Sequence, residues 1–195
     1  MSIFNVFDTL HERYDKWYVR HHDLYLKELE AVPHPERPSL EVGVGTGRFA
    51  APLGIDVGLD PSLPMLHHAK ERGVECVAGD GALLPFRDNS FKTVYMVFTL
   101  CFLESTTKPL KEVKRVLMPD GRFILCIVPA DSGLGKEYMR KDSPFYGVAK
   151  FYTVEEVQRI LKELGFTVVN LRKTLIRYSD NDFVCFEAAP NDVRN

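Results

Sequence analysis

The chain has 195 residues, 45% of them hydrophobic and 27% charged, with 25 Lys and Arg against 27 Asp and Glu for a net charge of −2. That length and apolar content support one α/β core and fall short of two full domains, so residues 1–195 are read as a single domain. The near-balanced charge excludes a global field favouring nucleic acid or an anionic membrane surface, and no apolar run reaches membrane-spanning length.

A first helix is expected over 10–31, carrying the sole tryptophan, Trp17, between Tyr14 and Tyr18 on an amphipathic pattern. The stretch Pro33-His34-Pro35-Glu36-Arg37-Pro38 then separates a helical cap, 1–38, from a core over 39–195. A buried strand at 39–42 opens through Gly43, Gly45 and Gly47 into a helix near 47–53, and alternate glycines let the backbone take positive φ and approach a ligand closely. The dinucleotide fingerprint G-x-G-x-x-G needs glycine at position 48, where Arg48 stands, which weakens a pyrophosphate reading.

A second strand, 55–59, ends at Asp60, with Pro61 and Ser62 suited to opening a helix over 61–72. An acid at that strand end is placed to accept hydrogen bonds from ribose hydroxyls; a helix N-cap is the plainer reading of the same residue. A third strand, 74–78, runs into Asp80-Gly81-Ala82 and Leu84-Pro85-Phe86, and a fourth strand covers 91–98. Next come a helix at 107–117, a strand at 122–128 and a long connection, 129–152. A helix at 153–164 opens on a Thr153–Glu156 capping box, and strands follow at 166–174 and 182–188. Alternation of this kind predicts a parallel sheet with helices on both faces.

Taken together, the series E-x-G-x-G-x-G from Glu41, the strand-end Asp60, the Asp80 loop running into "LPF-x-D-x-S-F", and Lys108 to Leu125 resembles the class I S-adenosylmethionine-dependent methyltransferases of the type 11, small-molecule family. The resemblance implies a Rossmann-like fold: a mostly parallel seven-stranded sheet with an antiparallel final strand. It implies S-adenosylmethionine as methyl donor, S-adenosylhomocysteine as product and a small-molecule acceptor attacked in line. The donor contacts it implies are Glu41, Gly43, Gly45, Gly47, Asp60, Pro61, Ser62, Asp80, Gly81, Ala82 and Met96, with Asp80 meeting the adenine amine. The chain departs from the family at Lys92, where relatives carry Asp. On the acceptor side the "Y-D-x-W" element resembles a lid and points to Tyr14 and Trp17; an amphipathic helix packing Tyr14, Trp17 and Tyr18 on the core is the plainer reading of the same residues. Thr99, Cys101 and Phe102 are expected to border the pocket, and Tyr146 to reach it from the long connection. No N/D-P-P-Y/F element follows the fourth strand, where Phe98-Thr99-Leu100-Cys101-Phe102 stands, so methylation of nucleic-acid amino groups is disfavoured. The leaving group is already good, so no catalytic residue is compelled.

Other classes left open by the sequence are a non-catalytic S-adenosylmethionine-binding protein, a nucleic-acid methyltransferase and a nicotinamide oxidoreductase. Cys76, Cys101, Cys126 and Cys185 lack C-x-x-C spacing and are read as reduced, mostly buried thiols, with Cys101 no covalent nucleophile. The adjacent pairs His21-His22 and His67-His68 do not converge on one ion, so no metal is expected. His67 and His68 are read as surface residues, and His11, His21 and His22 as weak candidates for an acceptor-side base. The Lys108, Lys111, Lys114 and Arg115 cluster is read as a solvated helix face. No targeting pattern is recognised, which gives a cytoplasmic expectation.

Overall fold

A computed structural model describes residues 3–191, with side chains from Val6 onward. Seven strands, β1 (Ser39–Val42), β2 (Val57–Asp60), β3 (Glu75–Ala78), β4 (Phe91–Val97), β5 (Leu117–Ile127), β6 (Phe166–Thr174) and β7 (Phe183–Pro190), form one sheet in the order β3-β2-β1-β4-β5-β7-β6. β7 runs antiparallel between β5 and β6, and the other neighbouring pairs are parallel. The chain steps outward from β1 through β2 to β3, then returns to lay β4 on the other side of β1. Connections therefore leave β1 and β4 in opposite directions, which opens a crevice at their carboxyl ends.

Alternation along the strands divides the core in two. Leu40, Val42, Val94, Met96, Phe123 and Leu125 pack on α5 (Thr107–Val116) and α7 (Val154–Glu163). Tyr95, Val97, Ile124 and Cys126 face the opposite layer, which holds α2 (His22–Ala31), α3 (Ala50–Leu53), α4 (Leu63–Glu71) and α6 (Gly133–Arg140). The expected N-terminal helix is two helices: α1 (Ile3–Arg20) and α2 meet at His21. The expected capping box closes in both directions, Glu156 N–H to Thr153 Oγ1 at 3.2 Å and Thr153 N–H to Glu156 Oε2 at 2.8 Å.

Several expectations are corrected. Cys126 and Cys185 are not reduced thiols but a disulfide; β5 and β7 set them directly opposite with Cα atoms 4.1 Å apart, a pairing that 59 residues of separation conceal in the sequence. Arg115 is not part of a solvated face. Its guanidinium donates to Glu112, Asp88 and the carbonyls of Leu84 and Phe86, clamping the loop between β3 and β4 onto α5. Lys92, the departure from the family pattern, donates to Asp120 across the start of β5. His68 is half-buried beneath α1, with Nε2 2.9 Å from His11 Nδ1, whereas His67 is exposed. Among the described residues no helix is long and apolar enough to cross a membrane.

Candidate active site

The three glycines after β1 all have positive φ but do different work. A Cβ on Gly43 would lie 2.4 Å from Thr99 Oγ1, and one on Gly47 would press on Ala69 of α4 at 3.0 Å, so these two allow neighbouring elements to close up. Gly45, with φ +53°, faces open space; an added Cβ would meet only the Tyr14 ring, at 3.9 Å. Its backbone is the one a ligand can approach.

Asp60, at the end of β2, ties this turn to the next. Its Oδ2 accepts the Gly45 N–H and its Oδ1 the Ser62 N–H, both at 2.9 Å. The N-cap of α4 is Ser62, whose Oγ accepts the Met65 N–H, so Asp60 is not the cap. Burial pushes the Asp60 carboxyl up, opposed by those two amides. Glu41, buried at the end of β1, has an Oε2 with no hydrogen-bond partner; burial raises its pKa strongly and the Asp60 charge raises it further. Two carboxyls crowded beside an open glycine backbone suit a ligand that brings ribose hydroxyls and positive charge. The orphaned Glu41 oxygen and the space over Gly45 therefore fit S-adenosylmethionine, whose ammonium and sulfonium supply that charge.

The remaining donor-side residues fall unevenly. Pro61 is exposed beside Asp60. The Asp60 carbonyl accepts the Gly79 N–H at 3.1 Å, which brings the Asp80 turn to the same edge. Asp80 is exposed and its Oδ1 accepts the Ala82 N–H at 2.8 Å, while a Cβ on Gly81 would sit 3.1 Å from Val42. Met96 shares the α5/α7 face of β4 with Val94 and is fully buried there.

The helix α1 is fastened over the glycine turn by one carboxylate. Asp15 accepts Arg48 Nε at 2.9 Å and Nη2 at 2.7 Å, and also Arg72 Nη2 at 2.8 Å; Arg72 donates in turn to the Thr46 carbonyl at 2.9 Å. Burial works against the Asp15 charge, but these guanidinium contacts outweigh it and hold the pKa at about 2. Because the folded pKa is depressed, the latch contributes fully above the unfolded value near 4 and loses its contribution as pH falls toward about 2. Asp15→Asn is expected to lower the melting temperature at pH 6 and to narrow the gap from wild type across that acid window. An unchanged wild-type acid slope in the variant would refute the latch.

Beside this turn lies a cavity of about 380 Å³, walled by α1, α2, α6, the end of β4 and the segment 141–152. Five of the six residues expected on the acceptor side, Tyr14, Trp17, Cys101, Phe102 and Tyr146, line it together. Tyr14 belongs to both regions, since the same ring faces Gly45. Thr99 is the exception: its hydroxyl donates toward the Val42 carbonyl at 3.2 Å, locking the ends of β1 and β4 together, and it does not line the cavity. Cys101 lines the wall with its thiol pushed up to about 12 by burial, consistent with an inert side chain. Of the three candidate bases only His21 borders the cavity, stacked on Trp17 at 4.6 Å with Nδ1 3.0 Å from the Trp17 carbonyl.

Sequence reading missed several wall residues. Tyr138 of α6 stacks on Tyr146 at 4.4 Å, turning the long connection into a wall. Phe98 also lines the cavity with φ +57°, a conformation strained for a bulky side chain. Glu28 of α2 reaches it from a helix with no motif. Asp182, fully buried, accepts the N–H groups of Leu134, Arg177, Tyr178 and Ser179 and so joins the 175–182 loop to the start of α6. Only the polar residue inside an apolar C-terminal pattern could have signalled it.

Comparison with known proteins identifies the family. Residues 40–125 match the family model described as "Methyltransferase domain". An uncharacterized protein of Methanocaldococcus jannaschii is 41% identical over 180 residues, covering 90% of this chain and 88% of its own. A Thermotoga maritima crystal structure described as a SAM-dependent methyltransferase, possible histamine N-methyltransferase, superposes with a TM-score of 0.87 at 35% identity, covering 96% of this chain and 99% of that one. Demethylmenaquinone methyltransferase of Corynebacterium kroppenstedtii is 36% identical over 121 residues, 57% of this chain and 53% of the relative.

Proposed function

The chain belongs to the class I S-adenosylmethionine-dependent methyltransferases of type 11, and on that premise we propose that it methylates a small molecule held in the aromatic cavity beneath α1. The observation that carries this reading is the cavity itself: about 380 Å³, lined by many aromatic rings, and joined to the glycine turn through Tyr14. That volume suits a metabolite and not a nucleic-acid strand, and a net charge of −2 offers no field for a polyanion. Support also comes from relatives named for small acceptors, the demethylmenaquinone enzyme and the possible histamine enzyme.

In this reading the whole chain acts as one domain, with the cap 1–38 forming the acceptor wall and 39–195 the donor site. Bound S-adenosylmethionine supplies an electrophilic methyl on a good leaving group. Asp60 and Glu41 orient the donor at the end of β1 and β2, Gly45 lets its backbone approach, and Asp80, Gly81 and Ala82 border the base. Tyr14, Trp17, Phe102 and Tyr146 exclude water and align the acceptor for in-line attack.

Titration calorimetry with S-adenosylmethionine, S-adenosylhomocysteine and NAD tests the donor half. Saturable binding of both sulfur nucleosides and none of NAD is expected. Incubating the protein with S-adenosylmethionine and a metabolite library, and searching by mass spectrometry for products heavier by one methylene, tests the acceptor half. Transfer to oligonucleotides but to no metabolite would overturn it.

A further inference from the structure

Resting on the small-molecule reading above, we propose that Glu28 is the specificity-determining residue of the cavity and that it receives a protonated nitrogen of the acceptor, which is therefore a basic alkyl amine, with or without an attached ring. Glu28 stands on α2 and is 1% exposed, yet its carboxyl lines the cavity, and its Oε2 has no hydrogen-bond partner among the described residues. A carboxyl removed from water without a partner is destabilising, so its place in a cavity wall calls for an occupant that pairs with it. The surroundings specify that occupant. Tyr18 of α1, Tyr138 of α6 and Tyr146 bring ring faces and edges to the same space, with Trp17 and Phe98 beside them. Aromatic walls with one buried carboxyl attract a cation by ring quadrupole and by charge together.

Among the described residues no cation pairs with Glu28. The basic side chains that border the cavity, Arg13, Arg20, His21, Lys141 and Lys150, are all exposed, and His21 Nδ1 lies 3.0 Å from the Trp17 carbonyl. Around Glu28 the ionisable groups are ones that burial pushes up, so they are neutral at pH 7: the phenols of Tyr18 from α1, Tyr138 from α6 and Tyr146 from the turn after it, and the Cys101 thiol, on the cavity wall, with the Tyr25 phenol on α2 behind it. Burial alone raises Glu28, to about 8. At pH 7 this carboxyl is a neutral acid, and an arriving ammonium would ionise it, sending one proton to the buffer and leaving a carboxylate–ammonium pair.

Three probes of similar shape separate the possibilities: 2-phenylethylamine, 2-phenylethanol and 3-phenylpropionate, each titrated into the full chain saturated with S-adenosylhomocysteine. Trp17 fluorescence reports filling, and calorimetry in buffers of different ionisation enthalpy reports protons. The amine is expected to bind roughly tenfold or more tightly than the alcohol, in the range of a charge-assisted contact, and to release a proton at pH 7. Glu28→Gln, which keeps the shape, is expected to abolish that preference and the proton release while leaving S-adenosylhomocysteine affinity unchanged. Equal binding of amine and alcohol, tighter binding of the propionate, or an amine preference that survives in Glu28→Gln would each overturn the proposal. The wild-type comparison stands even if the variant misfolds. Failure to bind S-adenosylhomocysteine at the outset would instead count against the donor site.

Discussion

Asp60→Ala is expected to weaken S-adenosylmethionine binding by roughly 1.5–3 kcal/mol, about a 10- to 150-fold rise in Kd, because hydrogen bonds to an ionised carboxylate are worth that much. The geometry adds a second loss. Asp60 also accepts the amides of Gly45 and Ser62, so its removal frees the turn whose open face the donor must approach. Asp60→Asn retains one acceptor oxygen and should fall between wild type and alanine. Calorimetry against S-adenosylhomocysteine, paired with thermal melts, separates the two contributions. Full affinity alongside a depressed melting temperature would make Asp60 an organiser of the turn with no donor contact.

The largest stability effect is expected at Asp182. Four backbone N–H groups and the Ser179 hydroxyl donate to this one buried carboxylate, at distances from 2.5 to 3.1 Å. Burial works against its charge, but the amides of Tyr178, Arg177 and Ser179 overcome it and hold the pKa below the usual carboxylate range. Asp182→Ala would leave these donors without their acceptor, a loss of about 4 kcal/mol and a fall in Tm of roughly 10 °C. The damage should spread to the acceptor cavity, since Asp182 positions the start of α6, which carries Tyr138. Circular dichroism melts measure the first effect, and binding of 2-phenylethylamine the second. A variant melting within about 2 °C of wild type would show that water replaces the carboxylate, contrary to expectation.

Local chemistry made the glycine turn and the helix starts legible in the sequence. A turn of alternating glycines, a strand-end acid and a capping box act over a few residues, so their spacing survives translation into structure: Gly45, Asp60 and Thr153 all stand where their neighbours in sequence imply. The sheet followed from the alternation of strands and helices, because parallel strands need crossovers. Tertiary structure decided the rest. Nothing in the sequence distinguishes Gly43, which admits Thr99, from Gly45, which faces open space; that difference depends on which element packs above each. Met96 reads like its strand neighbours, and only the pleat turns it into the α5/α7 core. The Asp15 latch joins positions 33 and 57 residues apart, and the Cys126–Cys185 bond and the Asp182 hub likewise depend on packed elements meeting. Glu28 has an ordinary place on a helix, and what sets it apart is burial without a partner. Burial is a property of the assembled fold, because a carboxyl loses its water only when distant segments close around it.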